Sequence, residues 1–310
     1  MVAVVELTEG PGTSAAYAKA ALGMLRRGGS ALPDVELVHR GVSVDRAHLA
    51  RYDRVCGLRL GDTLPATYPH VLAFPLAMRL MSDGDFPLPM IGLVHVSNRI
   101  TVRAPIDAGA RLDLRVRAVD LRDHPRGRQF DMVATASVDD EVVWEDVSTY
   151  LRITSAGGGA RDTGTGTGTG RNAGGGSARG SGNAPLGGAA TRFPKPDVSG
   201  SSGGAVWRLP TRVGTDYAAV SGDRNPIHTS RLGARLFGFS RQIAHGMWTK
   251  ARCLAALEGR LPDAYTVEVS FRQPILLPST VRFTATLTGD DWDFAVVSKR
   301  THLTGTITGG

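Results

Sequence analysis

The run from Ser155 to about Gly204 constrains the fold more than any other stretch of the chain. It carries Gly157-Gly158-Gly159, an alternating Gly-Thr run from Gly164 to Gly170, and Gly174-Gly175-Gly176. A Gly/Ser/Thr composition buries too little apolar surface to offset the entropy of ordering. A chain of 310 residues with such a stretch inside it is expected to fold as separate units on either side. No strand pattern leads into the glycines and no helix pattern follows, so a phosphate-cradling loop is excluded. The expected division is an N-terminal arm over 1–34, a first domain over 35–154, the linker over 155–204 and a second domain over 205–310.

Each side shows the same order of elements. In the first, Ser14 to Arg27 is a helix candidate ending at Gly28-Gly29, and Val35 to Val44 alternates like a strand. Asp45 stands where a helix N-cap is expected, leading to Tyr52 and Cys56-Gly57. Val71 to Ser82 is apolar and of helical length, but Pro75 inside it is expected to open or break the helix. Strands are then predicted at Leu93–Val102, Arg111–Val119, Gln129–Val138 and Val142–Ile153. Their short connections favour antiparallel pairing. After the linker, a strand near Val206 is followed by a polar loop and a helix over Ala244–Leu257. Strands at Thr266–Phe271, Val281–Thr288, Phe294–Lys299 and Leu303–Thr308 complete the unit.

The repetition reaches individual residues. Tyr52-Asp-Arg-Val-Cys-Gly-Leu-Arg aligns with Tyr217-Ala-Ala-Val-Ser-Gly-Asp-Arg, and Ile100-Thr-Val-Arg-Ala-Pro-Ile with Val269-Ser-Phe-Arg-Gln-Pro-Ile. The copies part where chemistry would sit. Leu58 stands opposite Asp223, Leu60 opposite Asn225 and Thr63 opposite His228. The first copy keeps the scaffold and lacks the polar trio.

Tyr217 to His228 reads as a stiff loop. Gly222 permits backbone angles other residues avoid, and Pro226 fixes its own φ and extends Asn225. Such a loop aims a carboxylate, an amide and an imidazole at one point. A lone Asp before Asn-Pro is ordinarily a turn former. Three polar groups together, absent from the sister copy, favour chemistry. Asp223 and His228 can hold one water or leaving hydroxyl and pass protons, with Asn225 orienting that water. Ser221 has no activating neighbour and reads as a local hydrogen-bonding residue. His95 reads as a pocket-lining histidine on a strand, and Cys253 as core.

Ser221-Gly222-Asp223-Arg224-Asn225-Pro226-Ile227-His228, followed by Ala244-His245-Gly246-Met247, resembles the paired landmarks of the MaoC-like dehydratases, or R-specific enoyl-CoA hydratases. The resemblance implies an α+β fold of two tandem hotdog domains, each a central helix wrapped by a curved antiparallel sheet, with the first degenerate and non-catalytic. It implies reversible dehydration of (R)-3-hydroxyacyl thioesters to trans-2-enoyl thioesters in fatty-acid metabolism. It places Asp223, His228 and Asn225 in catalysis and makes the Gly246 backbone N–H the donor to the developing oxyanion. Ser221, Gly222, His245 and His95 are then expected at the substrate. The substrate brings its own coenzyme A or acyl carrier protein, so neither a metal nor a further cofactor is expected. Two rivals remain. A hotdog acyl-thioesterase is disfavoured because Ala244 to Leu257 carries no carboxylate, and a non-catalytic acyl-carrier binding protein because the trio is intact.

Composition narrows the setting. Two cysteines without paired spacing argue against a disulfide framework or zinc site and fit a reducing cytoplasm. No apolar run approaches the roughly 18 residues of a membrane span, and the N-terminus lacks the pattern of a secretion signal. The formal charge of +7 is scattered, without a nucleic-acid motif, and suits steering of anionic thioester carriers better than nucleic-acid binding. Edge-to-edge pairing into a homodimer is open, because the two halves can meet that need within one chain. If Pro75 shortens the first-half helix, the vacated space is expected to accept a long acyl chain.

Overall fold

The computed structural model describes residues 2–7, 29–90, 92–153 and 204–310. The helix candidate at Ser14–Arg27 and nearly all of the Gly-rich linker lie outside these residues. In the first half, β1 (Ala3–Glu6), β2 (Val35–Ser43), α1 (Arg46–Cys56) and α2 (Tyr68–Met81) come first. They precede β3 (Leu93–Val102), β4 (Arg111–His124), β5 (Gly127–Val138) and β6 (Glu141–Ile153). The second half runs through β7 (Ala205–Leu209), α3 (Val213–Ser221), α4 (Pro226–Thr229), α5 (Arg231–Leu236) and α6 (Gly246–Ala256). It closes with β8 (Tyr265–Phe271), β9 (Ser279–Thr288), β10 (Asp291–Val297) and β11 (Thr301–Gly309).

All strands join one 11-stranded sheet in the order β1-β2-β4-β5-β6-β3-β8-β11-β10-β9-β7. Apart from β1, which adds in parallel to β2, the order reads the same outward from the centre in both directions. The centre is the antiparallel pair β3–β8, in which Arg99 faces Glu268. Aligning Ile100 with Val269 makes Arg99 and Glu268 equivalent, so the pseudo-two-fold axis of the repeat passes between them. Two hotdog units thus share one sheet. Strict alternation builds each core: Leu112, Leu114, Val116 and Ala118 of β4 are buried with Phe130, Met132, Ala134 and Ala136 of β5. α2 packs across these two strands.

The local repeat is also visible in the backbone. Gly57 and Gly222, aligned by sequence, each end a helix in the left-handed region at φ 74°. Tyr52 and Tyr217, each five residues earlier, are buried and meet with ring centroids 6.2 Å apart. Asp45 caps α1 as expected, accepting from Ala47 and His48 N–H. Two expectations need correction. Tyr217 to Ser221 is the last part of α3, so the loop proper spans only Gly222 to Asn225. Pro75 does not break α2, which continues for 14 residues around it. Phe74, Ala77, Met78 and Met81 bury its apolar face, and that packing outweighs the backbone hydrogen bond a proline cannot make.

The two halves are also pinned from within. Lys250 of α6 is fully buried, and its ammonium donates to the Val267 carbonyl at 3.0 Å and to Asn98 Oδ1. Asn98 Nδ2 donates to Asp146 Oδ1 at 2.6 Å, and the other Asp146 oxygen meets His70 Nδ1. A polar chain therefore runs from the second-half helix through the central strand pair to α2. Burial pulls the Lys250 ammonium down to about 7, with the Asp146 carboxylate pulling the other way. Lys250→Ala leaves the buried Asn98 and Val267 acceptors without their donor, with an expected cost of about 1–3 kcal/mol. Urea denaturation should show that loss with a smaller one for Lys250→Met; an alanine variant as stable as wild type would contradict the pinning.

Candidate active site

The site forms where the loop Gly222–Asn225 faces the start of α6. Gly222 closes α3, and the Asp223 N–H then donates to Ser221 Oγ at 3.2 Å. Asp223 Oδ1 accepts from the Asn225 N–H at 3.2 Å, and Asn225 Oδ1 accepts from the Ile227 N–H at 3.3 Å. Asp223 and Asn225 thus build the turn and still face the cavity. With its oxygen engaged as a helix cap, Asn225 has its amide NH2 to offer a water.

The second landmark is stitched to the first. Ile243 N–H donates to the Ile227 carbonyl at 3.1 Å, and His228 Nδ1 lies 2.8 Å from the Ile243 carbonyl. A carbonyl only accepts, so Nδ1 carries the proton and Nε2 keeps its lone pair. By the same reasoning His245 Nε2 donates to the Asp223 carbonyl at 3.0 Å. His245 is the N-cap residue of α6 and stacks on His228 with ring centroids 3.7 Å apart. Burial lowers both imidazoles: His245 falls to about 3, helped by neighbouring His228, and His228 falls with Asp223 opposing. Both rings are neutral near pH 7.

Gly246 is the first residue of α6, where backbone N–H groups have no partner within the helix and carry its positive dipole end. A Cβ there would lie 2.9 Å from the Phe271 ring, so glycine is required for close packing at the cavity wall. The cavity, about 750 Å³, brings together Ser221, Asp223, Asn225, His228, His245, Gly246 and His95. Gly222 does not line it; that residue acts through its left-handed backbone in ending α3.

From the trio the cavity passes Phe271 and His95 and runs along α2 past Phe74, Met78 and Met81. The space beside the first-half helix is therefore present although that helix is unbroken. Sequence reasoning missed several residues here. Tyr217 lines the cavity with its hydroxyl buried and without a partner among the described residues, as is His245 Nδ1. In the sequence Tyr217 stood only as the start of the loop segment aligned with Tyr52, with no role assigned. Tyr150 and His70 also line the cavity, and a histidine one residue after Pro69 at a helix start was a usable signal.

Asp223, His228 and His245 offer ligand atoms within 4.8 Å of one another. The two imidazoles stack with their ring planes 26° apart. His228 Nδ1 and His245 Nε2 are also engaged with carbonyls.

A polar loop against a helix N-terminus, within a doubled hotdog, is the arrangement of a class of thioester-processing hydro-lyases. Residues 214–307 match the profile described as a MaoC like domain. The chain is 36% identical to 3-hydroxyacyl-thioester dehydratase X of Mycobacterium tuberculosis over 92% of this chain and 96% of that protein. The crystal structure of HtdX from the same organism superposes with a TM-score of 0.71 at 34% identity, over 89% of this chain and 100% of that one. A (R)-specific enoyl-CoA hydratase of Rhodospirillum rubrum is 35% identical over 24% of this chain and 54% of its own length. The chain belongs to the MaoC-like dehydratases of double-hotdog type.

A proton-accepting role for His228 at Nε2 would require a neutral ring, and its lowered pKa would then extend activity towards acid. The expected kcat/KM for hydration is level as pH falls from about 8 through about 6.5, the ordinary histidine value, and declines only below it. A midpoint at or above that value in a pH–rate profile would contradict a buried, neutral His228.

Proposed function

We propose that this protein reversibly dehydrates (R)-3-hydroxyacyl thioesters to trans-2-enoyl thioesters. The observation that carries the reading is the meeting of Asp223, His228 and the N-terminus of α6 on one cavity wall. In hydration, the Asp223 carboxylate and His228 Nε2 accept hydrogen bonds from one water, and the Asn225 amide fixes its orientation. As that water adds to C3, its proton passes to this pair and the thioester carbonyl gains enolate character. The Gly246 N–H donates to that oxygen, aided by the helix dipole. The pair then supplies the proton to C2. Dehydration runs the same steps backwards.

We infer that no metal takes part: two imidazoles stacked with ring centroids 3.7 Å apart are poorly placed to approach one ion from separate directions. His95 serves as a neutral wall of the acyl site, since burial holds it near 3. The apolar run beside α2 supports acceptance of long acyl chains. No helix among the described residues is long and apolar enough to cross a membrane. Free, buried Cys56 and Cys253 support placement in a reducing cytoplasm. Both landmarks line the cavity within one chain, and pairing into a homodimer would use the short edge strands β1 and β7.

The test is the enoyl absorbance of crotonyl-CoA and of a sixteen-carbon trans-2-enoyl-CoA on adding purified protein. The expected result is loss of both signals with formation of the R alcohol. Strict preference for the four-carbon substrate would overturn the acyl-chain assignment, and formation of free coenzyme A without hydration would favour a thioesterase.

A further inference from the structure

The surface beside the cavity mouth has a composition that catalysis does not explain. From Arg224 to Leu257 the chain has no Asp or Glu, while Arg224, Arg231, Arg235, Arg241, Lys250 and Arg252 are basic. Lys250 is buried, and Arg252 lies over the Trp207 ring at 5.3 Å. The other four arginines are exposed, and none forms an ion pair among the described residues.

The helix among them is inverted. An amphipathic surface helix ordinarily buries its leucines. α5 buries Gly233 and Ala234 and turns Leu232 (69% exposed) and Leu236 (77% exposed) outwards. Small inner residues are needed because the helix sits directly on α4: a Cβ at Gly233 would lie 2.5 Å from the Pro226 Cβ. Phe237, 39% exposed, continues the apolar surface, and Phe237-Gly238-Phe239 lines the cavity. Exposed leucines flanked by arginines without ion pairs thus immediately precede the segment that lines the cavity. Contiguous apolar surface of this kind marks a contact site.

We propose that the outer face of α5 docks an acidic carrier protein, which delivers its acyl group on a phosphopantetheine arm past Phe237 and Phe239. The inference rests on the thioester reading above and names the partner at that site. Charge complementarity selects the occupant. Coenzyme A has phosphates for the arginines but no apolar surface for Leu232 and Leu236. A protein with carboxylates around an apolar groove answers both, and its charge speeds the encounter.

The experiment compares crotonyl thioesters of coenzyme A and of an acidic acyl carrier protein as substrates for wild type, for Arg231→Glu/Arg235→Glu, and for Leu232→Ser/Leu236→Ser. All four side chains are exposed and none lines the cavity, so folding should be retained. The proposal predicts that both double variants lose about tenfold or more in kcat/KM on the carrier-bound substrate and keep their rate on crotonyl-CoA. Rising salt should slow the wild type on the carrier substrate more than the arginine variant. Equal losses on both substrates would mean the arginines hold coenzyme A phosphates, and no loss on the carrier substrate would mean the face docks nothing; either overturns the proposal. Wild type active on crotonyl-CoA but not on the carrier thioester overturns docking alone, whereas inactivity on both overturns the dehydratase reading with it.

Discussion

The antiparallel pairing of β3 with β8 is the contact on which the rest depends. It turns two half-sheets into one and sets the axis that relates the copies. It also leaves a buried seam, and Lys250, Asn98, Asp146 and His70 fill that seam with a polar chain. A buried polar network of this type contributes little net stability against an apolar alternative, and losing one member is costly because its partners are left unsatisfied. Its best-attested use is to specify an arrangement. Here it ties α6 to the strand pair, so the N-terminus of that helix is held against the loop Gly222–Asn225.

From that placement the chemistry follows by local geometry. One turn of backbone between Gly222 and Asn225 uses its own side chains as turn and cap bonds, which makes the carboxylate and amide rigid. The chain segment at Ile243 holds His228 by main chain and side chain together, so the tautomer is fixed before substrate arrives. Preorganised groups of this kind need little rearrangement as charge develops. The first copy shows what remains without them: Gly57 ends its helix with the same backbone angle as Gly222, but exposed Leu60 stands where Asn225 does.

Much of this was legible in the sequence, because the informative residues have strict local meaning. Asp45 could be read as a cap, the eight main strands from their alternation, and the relation of the halves from Tyr, Gly and Arg at matching places. The trio was legible because its members are close in sequence. Three features were not. Pro75 argued for a break, but local preference yields to the apolar packing of α2 against β4 and β5. Helix α3 was missed because its polar end resembles a loop, although alignment with α1 predicts it. Lys250 was overlooked because a lysine is ordinarily read as exposed; its spacing of three from both Met247 and Cys253 puts it on the buried stripe. The acyl side of the cavity, with His70, Tyr150 and Phe271, comes from elements far apart in the chain. Only the folded sheet brings them to one wall.

The central claim is that Asp223 and His228 act as one unit on one water. Single-turnover rates on crotonyl-CoA for Asp223→Asn, His228→Asn and the double variant test it most directly, with circular dichroism to confirm folding. Each single variant should lose about 100-fold or more, and the double variant should be little worse than either alone, because a broken unit cannot be broken twice. Losses that multiply in the double variant, or a single variant with near wild-type rate, would contradict the claim.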